Sequence, residues 1–168
     1  MKKTFFVLTI LFSFLTMTTF AQNKTELGGG LAITSGNGST LAGINLRAQH
    51  AFNKNMRVAG NFNYYFPKNE VGFIQDLKVN AFSIAPDFHY VFPIGEEVEV
   101  YALAGLSIFV ASAKFAGERT SATAFGGAIG GGAAYQFSNR LSGFVEPKIM
   151  FAEGGSGFGL NLGVLFDL

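Results

Sequence analysis

The sequence predicts an all-β chain: eight antiparallel strands closed into an up-and-down transmembrane barrel, preceded by a cleaved signal peptide. Three observations predict it. Apolar residues alternate with polar or small ones at a period of two through most of the chain. The links between alternating segments switch between tight and long. Aromatic residues gather at the ends of the segments.

The chain opens with Lys2 and Lys3, then a greasy run at 5–15 (FFVLTILFSFL), then Thr18, Thr19, Phe20 and Ala21. A basic start, an apolar middle and a small residue at the end is the order of a secretory signal peptide. A membrane anchor would need roughly 18 or more apolar residues, and Thr9, Ser13, Thr16, Thr18 and Thr19 interrupt the run. The expected domains are a signal peptide over 1–21 and a barrel domain over 22–168. The chain has no cysteine, so it forms no disulfide and carries no thioether-linked lipid.

The 168-residue length suits one domain. Without Lys2 and Lys3, ten of the 12 basic residues remain against 11 acidic ones. That balance gives no electrostatic case for nucleic acid and no polybasic membrane patch. Charged residues make up 14% of the chain, alongside 20 Phe and 22 Gly. A soluble domain of this size needs a more charged surface. Beyond Ala21 no apolar run reaches helical spanning length. What remains is an unusually apolar soluble β-protein or a transmembrane barrel.

The strands are read in order. Residues 26–34 place Leu27, Leu31 and Ile33 on one face. Over 41–52, Ile44, Leu46 and Phe52 oppose Asn45, Arg47 and Gln49. Over 56–66, Met56, Val58, Phe62, Tyr64 and Phe66 oppose Arg57, Asn61 and Asn63, with Gly60 on the first face and Ala59 and Tyr65 on the second. Over 81–92, Phe82, Ile84, Phe88, Tyr90 and Phe92 oppose Ser83, Asp87 and His89. Over 98–110, Val98, Val100, Leu106, Ile108 and Val110 oppose Glu99 and Ser107. Over 123–137, Phe125, Ile129, Tyr135 and Phe137 oppose Gln136 and a run of Gly and Ala. Over 141–151, Leu141, Val145, Ile149 and Phe151 oppose Ser142, Glu146 and Lys148. The final segment, 157–168, is the cleanest: Phe158, Leu160, Leu162, Val164, Phe166 and Leu168 oppose Gly159, Asn161, Gly163, Leu165 and Asp167. An even count of eight suits a closed antiparallel barrel.

The links at 53–55, 93–97 and 138–140 are tight and turn-like. Those at 35–40, 67–76, 111–122 and 152–157 are longer, polar or Gly-rich. Short turns at one end and longer loops at the other are the outer-membrane pattern, with the tight turns in the periplasm. Phe52, Tyr90, Phe92, Tyr135, Phe137 and Phe166 stand beside the tight turns or the C-terminus. Phe62, Tyr64, Phe66, Phe109, Phe125, Phe151 and Phe158 stand toward the longer links. Two such girdles match the two membrane interfaces. Pro86 and Pro147 fall inside strands, where a missing donor marks a bulge, a local irregularity or a shorter strand.

The last eight residues carry Asn161, Gly163, Phe166 and Leu168 at the four positions of a pattern that resembles the C-terminal β-signal of outer-membrane proteins; Leu168 departs from its commonest ending, Phe. SIAPDFHYVF and GGGAAYQFSNRLSGFVEPKIMF resemble strands of small bacterial barrels of the OmpA/OmpX-like outer-membrane β-barrel-domain family. The resemblance covers nearly all of the chain after the signal peptide. It implies insertion into the outer membrane, with lipid around the barrel and the assembly machinery reading Asn161, Gly163, Phe166 and Leu168. It supports a fold strongly and a function weakly.

Eight strands enclose an interior just wide enough for side chains. The inward set holds Arg47, Arg57, Asp87, His89, Glu99, Glu146, Lys148 and Asp167. It is either a polar permeation path or a plug of paired charges, and the small strand number favours the plug. His89 shares a face with Asp87 and Ser83, superficially a hydroxyl, a base and an orienting acid for a lipid-directed hydrolase. Residues two apart on a strand face are roughly 6 to 7 Å apart, and Asp87 suits a cross-strand Arg or Lys as well. His50 lies on the apolar face near a turn. Two separated histidines without cysteine fall short of a metal site. GAIGGGAA at 127–134 opens no helix, so it is no phosphate cradle. The expectation is therefore a non-enzyme with no catalytic, cofactor or metal site. Its role is structural or interactive: membrane integrity, adhesion, or an extracellular ligand held by loops 67–78 and 111–122. The alternatives are a narrow pore for small solutes and, behind it, a lipid-modifying enzyme. The fold-level rival is a soluble lipocalin-like barrel, which would turn the apolar faces inward.

Overall fold

The structure, a computed structural model, describes residues 24–36, 38–69, 78–115, 118–153 and 155–168. The expected signal peptide at 1–21 lies outside them, as do 70–77 of the first expected binding loop.

Eight strands follow one another: β1 (Thr25–Gly36), β2 (Ser39–Asn53), β3 (Met56–Asn69), β4 (Lys78–Pro93), β5 (Val98–Phe115), β6 (Glu118–Ser138), β7 (Leu141–Ala152) and β8 (Gly155–Asp167). Each pairs with its sequence neighbour, and β8 returns to β1, closing the barrel. The closing seam is antiparallel and runs from Glu26↔Asp167 to Gly36↔Gly157. Closure pairs the backbone polar groups that an open sheet edge would leave bare in lipid.

The period-two faces fall as the pattern predicts. Outside stand Leu46, Ile84, Ile129, Val145 and Phe166, each around half exposed; inside lie Arg47, Asn61, Asp87, His89 and Glu146, buried. A soluble barrel of the lipocalin kind would be inverted. This one presents a continuous apolar exterior, a surface that a water-soluble monomer avoids and a bilayer accepts.

Two ends can be distinguished. The turn end holds the links at 54–55, 94–97 and 139–140, with Lys24 and Leu168 beside them; the rim end is where the strand ends Gly36 and Ser39, Asn69 and Lys78, Phe115 and Glu118, and Ala152 and Gly155 lie. Here the structure corrects the reading of the longer links as loops. Most of 111–122 is strand: β5 and β6 stay paired from Ala111↔Ala122 to Phe115↔Glu118. β7 leaves β6 at Gly126↔Ala152, so the β5–β6 hairpin runs on past it. The 35–40 and 152–157 links likewise reduce to 37–38 and 153–154. At these three links the strands are separated by two residues, as they are at Asn53–Met56 and Ser138–Leu141 at the turn end.

Pro86 and Pro147 sit in unbroken strands, and the register does not slip at either; the shifts of the β3–β4 and β6–β7 ladders lie elsewhere, between Tyr65 and Lys68 on β3 and between Gln136 and Ser138 on β6. Pro86 is paired with Gly60 on β3, and Pro147 with Leu160 on β8. On the other side the ladder skips: β4–β5 passes from Ile84↔Ile108 to Asp87↔Gly105, and β6–β7 from Gly130↔Lys148 to Ala133↔Val145. Proline has no N–H to give to that neighbour, and the pairing resumes in register beyond the gap.

One aromatic departs from the expected girdle. Phe109 points into the barrel, its ring 5.7 Å from that of Tyr65, against the buried cluster of Ala32, Tyr65 and Ala81. The turn-end girdle does assemble. Tyr90 meets Phe92 at 4.9 Å and Tyr135 meets Phe137 at 5.2 Å, all on the exterior.

Candidate functional site: the charged interior of the barrel

Inward-facing residues of β2, β3, β4, β5 and β7 form one central charged layer. Glu146 on β7 is its hub. Arg47 from β2 donates to Glu146 Oε2 at 2.7 Å, Tyr101 from β5 donates its hydroxyl to the same oxygen at 3.1 Å, and Lys148 donates to Oε1 at 3.2 Å. Lys148 also reaches Asp87 Oδ2 at 3.0 Å, which accepts from Asn61 Nδ2 at 2.9 Å. Arg57 donates through NH1 to Glu99 at 3.0 Å and through Nε to His89 Nδ1 at 3.1 Å.

Both nitrogens of the His89 imidazole face guanidinium groups: Nδ1 accepts from Arg57 Nε, and Nε2 lies 3.2 Å from Arg47 NH2 and 3.7 Å from Glu146 Oε2. The ring stacks on Tyr101 at 4.6 Å, with 8° between planes, and the Arg57 guanidinium lies 4.4 Å from the same Tyr101 ring. Tyr101 can take this place because its β6 partner is Gly132, where a Cβ would overlap the tyrosine ring. Arg47 rests on the Phe144 ring at 4.5 Å. Three cations, Arg47, Arg57 and Lys148, therefore face three anions, Asp87, Glu99 and Glu146. In a buried layer of this kind each charge needs its partner, because the desolvation of an unpaired ion is not repaid.

Of the eight charged or ionisable residues expected inside, seven join this network. Asp167 does not. It stands at the turn end, 3.8 Å from Lys24, which also pairs with Glu26 at 3.0 Å. Glu26, bonded by Gln49 and Ser142, and Tyr101 were not singled out in the sequence. Both share the inward parity of their strands, and that parity is the signal that finds them.

The hydroxyl–imidazole–acid relay is not assembled. Ser83 Oγ accepts from Asn63, Asp87 is held by Lys148 and Asn61, and His89 faces two arginines. The fold does bring Asp87, His89 and Glu146 together, with one ligand-capable atom of each within 4.8 Å of the others. The two carboxylates are already bonded by Lys148 and Arg47, which a metal ion would have to displace. His50 lies partly exposed on the outer face, Nδ1 at 2.9 Å from Thr25 Oγ1 and its ring edge-on to Phe52.

Among the described residues, two cavities enter the lumen. The rim cavity, about 280 Å³, is lined by Leu41, Asn63, Tyr65, Phe109, Lys148 and Asn161 among others. The turn-end cavity, about 100 Å³, includes Lys24, Glu26, Gln49, Arg57, Glu99 and Ser142. They have no lining residue in common, and Arg47, Asp87, His89, Tyr101 and Glu146 line neither.

A closed eight-stranded antiparallel barrel, apolar outside and charge-paired within, defines a transmembrane β-barrel protein. The chain belongs to the outer membrane protein β-barrel domain family, whose profile matches residues 6–151. Solved structures with this fold include Ail, the attachment invasion locus protein of Yersinia pestis, at 19% identity and a TM-score of 0.62, covering 87% of this chain and 97% of Ail. Neisserial surface protein A is similar at 17% identity and a TM-score of 0.64, with 87% and 97% covered. The N-terminal β-barrel domain of Pseudomonas aeruginosa OprF is similar at 16% and 0.59, with 87% and 97% covered. Ail has also been solved in complex with the heparin analogue sucrose octasulfate. No curated protein sequence matches. At these identities the structural likeness speaks to the fold alone.

Proposed function

We propose that this protein is exported by its signal peptide and inserted into the bacterial outer membrane with its rim end outward. Its lumen is closed to solutes, and it acts structurally and by binding anionic partners at the rim. Closure rests on the central layer: two cavities share no lining residue, and the ion-paired side chains lie between them.

The binding role rests on the rim's register. Lys78 on β4 pairs with Lys114 on β5, and Lys114 pairs with Arg119 on β6. Basic residues at successive register positions of three adjacent strands suit an anionic ligand. The three belong to the two segments, 67–78 and 111–122, read from the sequence as recognition sites, and Ail's complex with a sulfated heparin analogue makes a sulfated polyanion the first probe. Purified barrel in lipid vesicles should retain heparin at low salt and lose it when Lys78, Lys114 and Arg119 are all changed to Ala. Planar-bilayer recording of the same preparation should show no conductance steps. Discrete steps would establish the narrow pore instead, and heparin retention by the triple variant would remove the rim assignment.

A further inference from the structure

The rim cavity has features that neither charge pairing nor the surface role uses. About 280 Å³ is room for roughly nine waters at ~30 Å³ each, close to the lower size of small-molecule pockets. One side is apolar: Leu41 and Phe109 pack on Tyr65 there. The polar lining is uncharged except for Lys148 and Glu153, and the Lys148 ammonium is already bonded by Asp87 and Glu146. A bare anion would therefore find no free charge to neutralise it.

One lining group is left over. Asn161 is 3% exposed, and its side-chain Nδ2 has no hydrogen-bond partner. Its neighbour across the cavity, Asn63, is in contrast satisfied on both sides: Oδ1 accepts from Asn45 and Nδ2 donates to Ser83. A buried amide N–H₂ without an acceptor costs the desolvation it has undergone, and such a group calls for an occupant.

We propose that this cavity binds a small neutral amphipathic molecule. Its apolar body lies against Leu41, Tyr65 and Phe109, and a hydroxyl, ether or carbonyl oxygen accepts from Asn161 Nδ2. The acceptor follows from the chemistry of the amide nitrogen, which only donates. The neutrality follows from the balanced charges beneath. This site goes beyond the surface role and stands without it, since Lys78, Lys114 and Arg119 are not among the residues that line the cavity.

The test uses the full barrel, isotopically labelled in lipid nanodiscs, with 1-hexanol as the probe and the Asn161 side-chain amide resonances as the readout. A saturable shift is expected. 1-Chlorohexane, of the same length but a poor acceptor, should bind several-fold more weakly, the fold-change of one unmade hydrogen bond. Hexanoate should also bind more weakly than the alcohol. Ser107→Trp, which fills the cavity, should abolish saturation. Asn161→Leu keeps the cavity apolar and should bring alcohol and chloroalkane level, read at the Gly159 backbone amide. Migration of unboiled samples on a gel establishes that each variant is folded. A shift that stays linear and equals that of lipid-facing Val145 would mean partition into the bilayer only and overturns the site. So does an Asn161 amide that exchanges signal with water and ignores hexanol, or a folded Ser107→Trp barrel that still saturates.

Discussion

Arg47 and Glu146 meet at 2.7 Å across the lumen, 99 residues apart in the chain and with neither side chain exposed. The pair ties β2 to β7, strands that are not neighbours in the sheet. Removing one partner of a buried pair typically costs about 3 to 5 kcal/mol, because the other charge is stranded. Glu146→Ala strands Arg47 and leaves Lys148 with Asp87 alone. It should therefore destabilise the barrel by that order in urea unfolding from lipid vesicles. Glu153→Ala, in the exposed β7–β8 turn, should stay within about 0.5 kcal/mol. Equal costs would mean the inner and outer faces have been exchanged.

Val145 is the outward neighbour of Glu146 and 45% exposed. Val145→Arg places a cation in lipid, at a cost of roughly 2 to 4 kcal/mol near the bilayer midplane. Lys148, three residues on, is tolerated because it points inward to Asp87. The same unfolding assay reads the difference, and a harmless Val145→Arg would count against lipid contact at that face.

Gly132 makes room for Tyr101, and Tyr101 supports both His89 and Glu146. Gly132→Ala should cost about 1 to 3 kcal/mol through overpacking. In a Tyr101→Ala background that cost should largely vanish, a coupling that a double-mutant cycle detects. Additive effects would show that the glycine serves the backbone and not the ring.

The membrane orientation can be probed with single cysteines, since the chain has none of its own. Asn139 marks the turn end. Ser156 is preferable to Gly155 for the rim, because Gly155 has φ 148°, where a side chain is strained. An impermeant thiol reagent on intact cells should label Ser156→Cys and spare Asn139→Cys. The opposite pattern would place the tight turns outside.

Deleting Phe166 and Leu168 tests the C-terminal signal implied by the family resemblance. The truncated protein should accumulate in the periplasm or be degraded, as fractionation would show. Normal insertion would reduce the pattern to an ordinary strand end.

The barrel and its two faces were legible because lipid and lumen demand opposite side chains, which stamps a period of two on the sequence. The same reason explains where legibility ended. In 111–122 the hairpin runs beyond the last β7 pairing, and the contrast between faces fades from ASAKFAGERTSA although 111–115 and 118–122 are still strand. Phe109 was misplaced because aromatic residues near a strand end suggest an interface, while its parity with Ser107 puts it inside. The charged residues were legible as a set but their partners were not. Arg47 could be matched to Glu146 only once strand tilt and closure had fixed which levels of β2 and β7 coincide. His89 looked like a base beside an acid until the fold supplied two arginines and a tyrosine.

The β1–β8 seam joins the first and last strands of the described chain. β1 can acquire β2 as soon as both exist, but its other edge, twelve residues of backbone, has no mate until β8 arrives. Barrel formation is therefore an event of the whole polypeptide and not a progressive one. A partly assembled sheet would meet the bilayer with two bare ladders, a state that hydrocarbon penalises and that invites pairing with other chains. Whatever escorts this protein to the membrane must keep those two edges apart from strangers for as long as they lack each other.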